Sequence, residues 1–172
     1  LTLPPLASNS RQTPAAARLV EPRLADDGLA LTLQNGLNNR AALRAALGRE
    51  RVALGVTAQG ATVIGPGVVR HAGHGPTYIG RDAALGPAQR VCLPELAALL
   101  SAAGFDTHLV DDTDALVWGK LAVNAAINPL TALLHVPNGF LVEHEALLSI
   151  ICLLYTSPSP RDRTRSRMPY SA

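Results

Sequence analysis

Between Trp118 and Pro129 the chain is apolar almost throughout, and its strongly polar side chains are Lys120, Asn124 and Asn128, four residues apart. Each four-residue step drifts about 40° around an α-helix, so the three side chains form one stripe roughly 80° wide. The other positions are apolar, which predicts a helix buried on most of its sides. A buried ammonium or carboxamide without partners costs on the order of a few kcal/mol, so the stripe must face either a structural hydrogen-bonding network or a polar ligand. Both readings stay open on the pattern alone.

Upstream, apolar runs alternate with turn residues. Thr13 is placed to cap a helix that starts at Pro14 and runs to Val20. A turn at Asp26-Asp27-Gly28 leads into a short strand over residues 29–33, apolar on both faces as in a parallel sheet. That strand ends in Gln34-Asn35-Gly36, and a helix over residues 39–47 follows, stopped by Gly48. A second strand covers residues 52–56. Glycines then recur among β-branched residues, which predicts a hairpin built from residues 61–64, 68–71 and 77–79. Residues 93–103 read as an amphipathic helix ending at Gly104, and residues 105–110 as a strand. Asp111, Asp112 and Asp114 make an acidic start for the helix that carries the stripe. Pro137-Asn138-Gly139 closes that region, and another helical segment begins at Glu143.

The order predicts an α/β fold: the C-terminal part of a Rossmann-like dinucleotide-binding domain, followed by the start of an all-helical domain. Its boundaries are residues 1–111, residues 112–151 and a disordered tail over 152–172. In open α/β sheets ligands gather beyond the carboxyl ends of strands, which places Asn35 where a ligand could meet it; simple turn capping is the alternative.

Composition narrows the classes. The chain is 48% apolar but only 3% aromatic, so a core must be built from Leu, Ala and Val. Cys92 and Cys152 have neither metal-ligand spacing nor a disulfide pattern, which points to a reducing, cytoplasmic setting. His71 and His74 lack an acidic or cysteine partner nearby, so no metal site is expected. The opening residues do not form a signal peptide, and the longest apolar run near the C-terminus is far short of the ~20 residues that span a membrane. The net charge of +2 comes from the end of the chain, where Arg161, Arg163, Arg165 and Arg167 face Asp162 alone. The body is therefore not basic, and no nucleic-acid partner is expected. The Ser/Pro/Arg-rich tail cannot bury a core, and from Cys152 onward it resembles translated read-through of sequencing-adapter DNA.

The run Trp118-Gly119-Lys120-Leu121-Ala122-Val123-Asn124-Ala125-Ala126-Ile127-Asn128-Pro129-Leu130-Thr131-Ala132-Leu133 resembles the signature helix of ketopantoate reductases (2-dehydropantoate 2-reductases). The resemblance extends upstream through Leu33-Gln34-Asn35-Gly36-Leu37, Gly55-Val56-Thr57, Gly65-Pro66-Gly67-Val68-Val69-Arg70-His71 and Ile79-Gly80, in the family's order. It implies NADPH-dependent reduction of 2-dehydropantoate to pantoate in pantothenate and coenzyme A biosynthesis. It also implies Lys120 as the general acid, Asn35 beside the cofactor, Asn124 and Asn128 on the 2-keto acid substrate, and room for a homodimer in the complete enzyme. A related reductase of another 2-keto acid is the nearer alternative. A non-catalytic binding protein, with a truncated reductase scaffold and an Arg-rich tail, is the more distant one.

The sequence departs from the family at three places. The first strand and Gly-x-Gly-x-x-Gly turn are absent, Asn9 stands at the family's Lys position before Gln12, and the later helices that supply a Ser and a Glu are missing. The expectation is the middle of an enzyme, inactive as it stands.

Overall fold

A computed structural model describes residues 12–156. The sequence expectations for Leu1 to Ser8, for Asn9 and for the tail beyond Thr156 lie outside the described residues. The chain divides into two compact units, Leu1–Trp118 and Gly119–Ala172.

The first unit is built from two parallel βαβ steps. In the first, β1 (Ala30–Thr32) leads through α2 (Asn39–Leu47) to β2 (Val52–Thr57), which pairs with β1 in parallel. In the second, β5 (Thr77–Gly80) leads through α3 (Pro87–Ala102) to β6 (Thr107–Val110), again in parallel. The steps join through antiparallel pairing of β2 with β5, giving the sheet order β1-β2-β5-β6. Helix α1 (Thr13–Val20) precedes the first step. Gly48, at φ 92°, stops α2 in a conformation that favours glycine.

The core lies where α3 covers the sheet. Ala53, Ile79, Leu85, Leu93 and Leu96 are buried there, with Leu29, Leu31, Leu100 and Leu109 packed against them. Each fully buried Leu or Ile contributes about 1.5–3 kcal/mol relative to exposure, so this aliphatic cluster supports the unit without aromatic residues. Helix α3 begins at Pro87, six residues before the position read from sequence, and keeps Pro94 in its interior. Leu93 and Leu96, on either side of that proline, are buried in the core, and their burial offsets the hydrogen bond that proline forgoes.

The hairpin comes out differently from the expectation. Only β3 (Gly60–Gly65) and β4 (Val68–Gly73) form a ribbon, which is a separate two-stranded sheet. The third segment is β5, an interior strand of the main sheet. Burial explains the difference: Thr77 and Ile79 are 2% and 0% exposed, whereas Val63 and Val69 on the ribbon are 73% and 61% exposed.

Helix α4 (Thr113–Leu134) starts beside the carboxyl end of β5. A Cβ added at Gly80 would lie 1.8 Å from Thr113 Oγ1 and 3.0 Å from Thr113 Cβ. Asp112 Oδ1 accepts the Ala115 N–H at 3.0 Å, so this aspartate caps the helix. In the second unit α5 (Asn138–Val142) and α6 (Glu145–Thr156) follow. Pro137-Asn138-Gly139 therefore starts a short helix, and α6 begins two residues after the expected Glu143. It also continues through Thr156, so residues 152–156 of the expected tail are helical. Among the described residues no helix is long and apolar enough to cross a membrane.

Gly80→Ala should destabilise the fold by about 1–3 kcal/mol, because the methyl group can be accommodated only by moving the first turn of α4. Chemical denaturation checks this, and an unchanged midpoint would show that the close approach of Gly80 and Thr113 is slack.

Candidate active site

Within the first unit, a buried polar network forms at the carboxyl end of β1. Thr13 was expected to cap α1, but the N-cap position is Gln12, which makes no side-chain cap bond. The Thr13 side chain is turned inward and is 1% exposed. Its hydroxyl lies 2.9 Å from Asn39 Oδ1 and 3.1 Å from Gln34 Oε1. The Thr32 hydroxyl donates to the same Gln34 oxygen at 3.2 Å. Asn39 is also buried, and its Nδ2 donates to the Asn35 carbonyl at 2.8 Å. Such a bond contributes about 0.5–1.5 kcal/mol, while leaving one of these buried groups unpaired costs about 1–3 kcal/mol. The network therefore holds the Gln34-Asn35-Gly36 turn mainly through the penalty for breaking it. Gly36 passes through φ 101°, and the Asn35 side chain is exposed.

A cavity of about 210 Å³ adjoins this turn, lined by Gly36, Leu37, Arg40, Asp114 and Trp118 among others. Ligand sites commonly run to about 300–1,000 Å³, so this space suits one ring-sized group and not a dinucleotide. Its polar wall is an ion pair, Arg40 Nη2 to Asp114 Oδ1 at 2.8 Å. Arg40 also lies 3.8 Å from Asp82, which is bonded more closely by Arg44. Burial raises the pKa of Asp82, but the Ala84 N–H and the charges and bond of Arg44 and Arg40 outweigh it and leave the carboxyl below its usual value.

In the second unit, α4 carries the three residues of the stripe in unbroken helix. Lys120 and Asn124 are half-buried and Asn128 is exposed. The rise per residue puts Lys120 and Asn128 about 12 Å apart along the axis. Burial pushes the Lys120 ammonium below the usual lysine value of 10.5. The helix is not buried on most sides as expected, since Val123 and Leu133 are 43% and 77% exposed. The physical reason is scarcity of cover: only α5 and α6 accompany α4 in the described part of this unit. Pro129 lies inside α4, and the Thr131 hydroxyl donates to the carbonyls of Ile127 and Asn128 at 3.3 and 3.1 Å.

Helix α4 thus brings Lys120, Asn124 and Asn128 together, while Asn35 belongs to the other unit. Sequence reasoning missed Asn39, Thr13 and Arg40. A signal for Asn39 was present, because it stands four residues after Asn35 at the first position of a helix. His71 and His74 are in ring contact at 4.0 Å, and His71 Nε2 lies 2.6 Å from Gln59 Oε1. Among the described residues no group of three or more His, Cys, Asp or Glu side chains could hold a metal ion.

Two parallel βαβ steps with a ring-sized space beside the turn that follows β1, followed by helices, define a Rossmann-like α/β segment leading into a helical domain. The family model for ketopantoate reductase PanE/ApbA matches residues 6–83, and that for its C-terminal domain matches residues 112–154. The chain is 42% identical over 134 residues to the 2-dehydropantoate 2-reductase of Halobacterium salinarum, covering 78% of this chain and 43% of that protein. It is 38% identical over 127 residues to the Archaeoglobus fulgidus enzyme of the same name, covering 73% and 41%. Among solved structures it is similar to a PanE/ApbA family ketopantoate reductase from Ralstonia eutropha, with TM-score 0.68, 33% identity and coverage of 86% and 47%. A D-mandelate dehydrogenase bound to NADH and anilino(oxo)acetate shares the fold at TM-score 0.72 and 20% identity, covering 91% of this chain and 57% of that one. The chain belongs to the ketopantoate reductase family, and it spans less than half the length of these curated relatives.

Gly119, just before Lys120, has no atom within 4 Å of an added Cβ. Gly119→Ala should therefore stabilise this chain by about 0.5–1 kcal/mol through helix propensity. A lower thermal midpoint in the variant would show that a close contact of α4 requires the glycine.

Proposed function

We propose that this chain is the central segment of an NADPH-dependent 2-dehydropantoate 2-reductase, with Lys120 as its general acid. The observation that carries the reading is the α4 stripe: a half-buried lysine with a lowered pKa, followed at four-residue spacing by two carboxamides. NADPH would supply the hydride that reaches the ketone carbon of the substrate. As that bond forms, the C=O π electrons move onto oxygen, and a proton from Lys120 Nζ completes the hydroxyl. A lysine suits this step because the ammonium is a donor aimed at a developing alkoxide and its pKa is tunable by apolar surroundings. Asn124 and Asn128 would hydrogen-bond the hydroxyl and carboxylate of ketopantoate, orienting its carbonyl. Asn35 would meet the nicotinamide end of the cofactor.

The residues present fit that end alone. The space beside Gly36 is ring-sized, and the sequence contains no Gly-x-Gly-x-x-Gly turn to cradle the pyrophosphate. The isolated chain is therefore expected to show neither turnover nor submicromolar NADPH binding, and submicromolar binding measured by fluorescence titration would overturn that.

In the full-length reductase carrying this segment, Lys120→Ala should lower kcat/KM for ketopantoate by about 10²–10⁴. The unsubstituted enzyme should lose activity as pH rises, because the acid must be protonated, and the limb should fall below the lysine value of 10.5. Near-normal turnover of Lys120→Ala would refute the assignment.

A further inference from the structure

Asn39 is the first residue of α2 and is 4% exposed, yet its amide does nothing for the start of that helix. The N-cap, Asn38, makes no side-chain cap bond either. The amide of Asn39 is instead directed backward, with Nδ2 donating to the Asn35 carbonyl at 2.8 Å and Oδ1 accepting the Thr13 hydroxyl at 2.9 Å. We propose that Asn39, hydrogen-bonded to Thr13, is a positioning residue that fixes the Asn35–Gly36 peptide and through it the exposed Asn35 side chain. The proposal rests on the reading that Asn35 meets the nicotinamide ring.

The chemistry of the two contacts supports the assignment. An amide is asymmetric, and the Asn35 carbonyl selects which end faces the turn: a carbonyl can only accept, so Nδ2 must point at it, and Oδ1 is left to accept the Thr13 hydroxyl. The opposite amide orientation would set two oxygens against each other. The carbonyl so held belongs to the peptide that precedes Gly36, which passes through φ 101°; glycine reaches that conformation without strain but does not fix it, so a contact from outside the turn must. The Thr13 and Asn39 side chains are both buried, so losing the bond between them is costly. Asp at position 39 would have nearly the shape of Asn but no donor, which makes Asn39→Asp a test of the hydrogen bond separate from packing.

The first arm uses this chain. In a ¹⁵N-labelled sample the Asn39 side-chain amide protons should exchange slowly, and Asn39→Asp should displace the Gly36 amide resonance while circular dichroism stays unchanged. Should Asn39→Asp not fold, Thr13→Val leaves Asn39 in place and should shift the same resonance less. An unshifted Gly36 amide in folded variants overturns the proposal.

The second arm uses the full-length reductase. Asn39→Asp should lower kcat about tenfold, as expected of a slightly misplaced contact, yet have little further effect in the Asn35→Ala background. Equal losses in both backgrounds would mean a general structural role and also overturn it. If Gly36 shifts but Asn35→Ala itself leaves kinetics unchanged, the nicotinamide reading falls while the positioning of the turn stands.

Discussion

One buried amide joins three elements of the first unit. Through Asn39 the start of α2 is bonded to the start of α1 at Thr13 and to the turn that leaves β1 at Asn35. These elements are distant in sequence, and a polar group placed among them is a liability unless every atom is paired. Here the pairing is specific: a hydroxyl on one side, a carbonyl on the other, and a left-handed glycine next to the carbonyl. The aliphatic cluster under α3 supplies the larger share of stability, but it carries no information about where the Asn35 turn must be. The amide does, because an aliphatic side chain of the same size would fill the space without selecting a backbone conformation.

A second constraint acts at the start of α4. Gly80 leaves no room for a side chain against Thr113, Asp112 caps the first turn, and Asp114 pairs with Arg40. Asp114 is well exposed, so its ion pair contributes on the order of 0–1 kcal/mol. Close packing at Gly80 is the stronger restraint. From that first turn the helix continues without interruption to Leu134, and Lys120, Asn124 and Asn128 take their common face from helical periodicity. Partial burial lowers the pKa of Lys120.

Much of this was legible because the signals were local. The helix Asn39–Leu47 with its Gly48 stop was read to the residue, since a glycine at φ 92° is the stop signal that periodicity implies. The stripe on α4 followed from spacing, and the family from motifs in order. What failed depended on contacts between distant residues. Thr13 has the chemistry of a cap, and only the approach of Asn39 and Gln34 shows that its hydroxyl is used elsewhere. Residues 77–79 resemble the ribbon strands before them in composition, but they are buried between β2 and β6. The apolar surface of α4 was read as core because hydropathy does not reveal how many helices are available to cover it. Arg40 belongs to no motif, and only the fold sets it against Asp114 and Asp82.

We propose that this segment carries the acid and the nicotinamide-side turn of a ketopantoate reductase. The most direct test replaces the matching region of the Halobacterium salinarum enzyme, 42% identical over 134 residues, with this chain's own sequence, and follows NADPH oxidation on adding ketopantoate. The account predicts ketopantoate-dependent oxidation by the chimera, with NADPH binding supplied by the host's flanking sequence. A folded chimera that binds NADPH but does not oxidise it with ketopantoate would contradict the account.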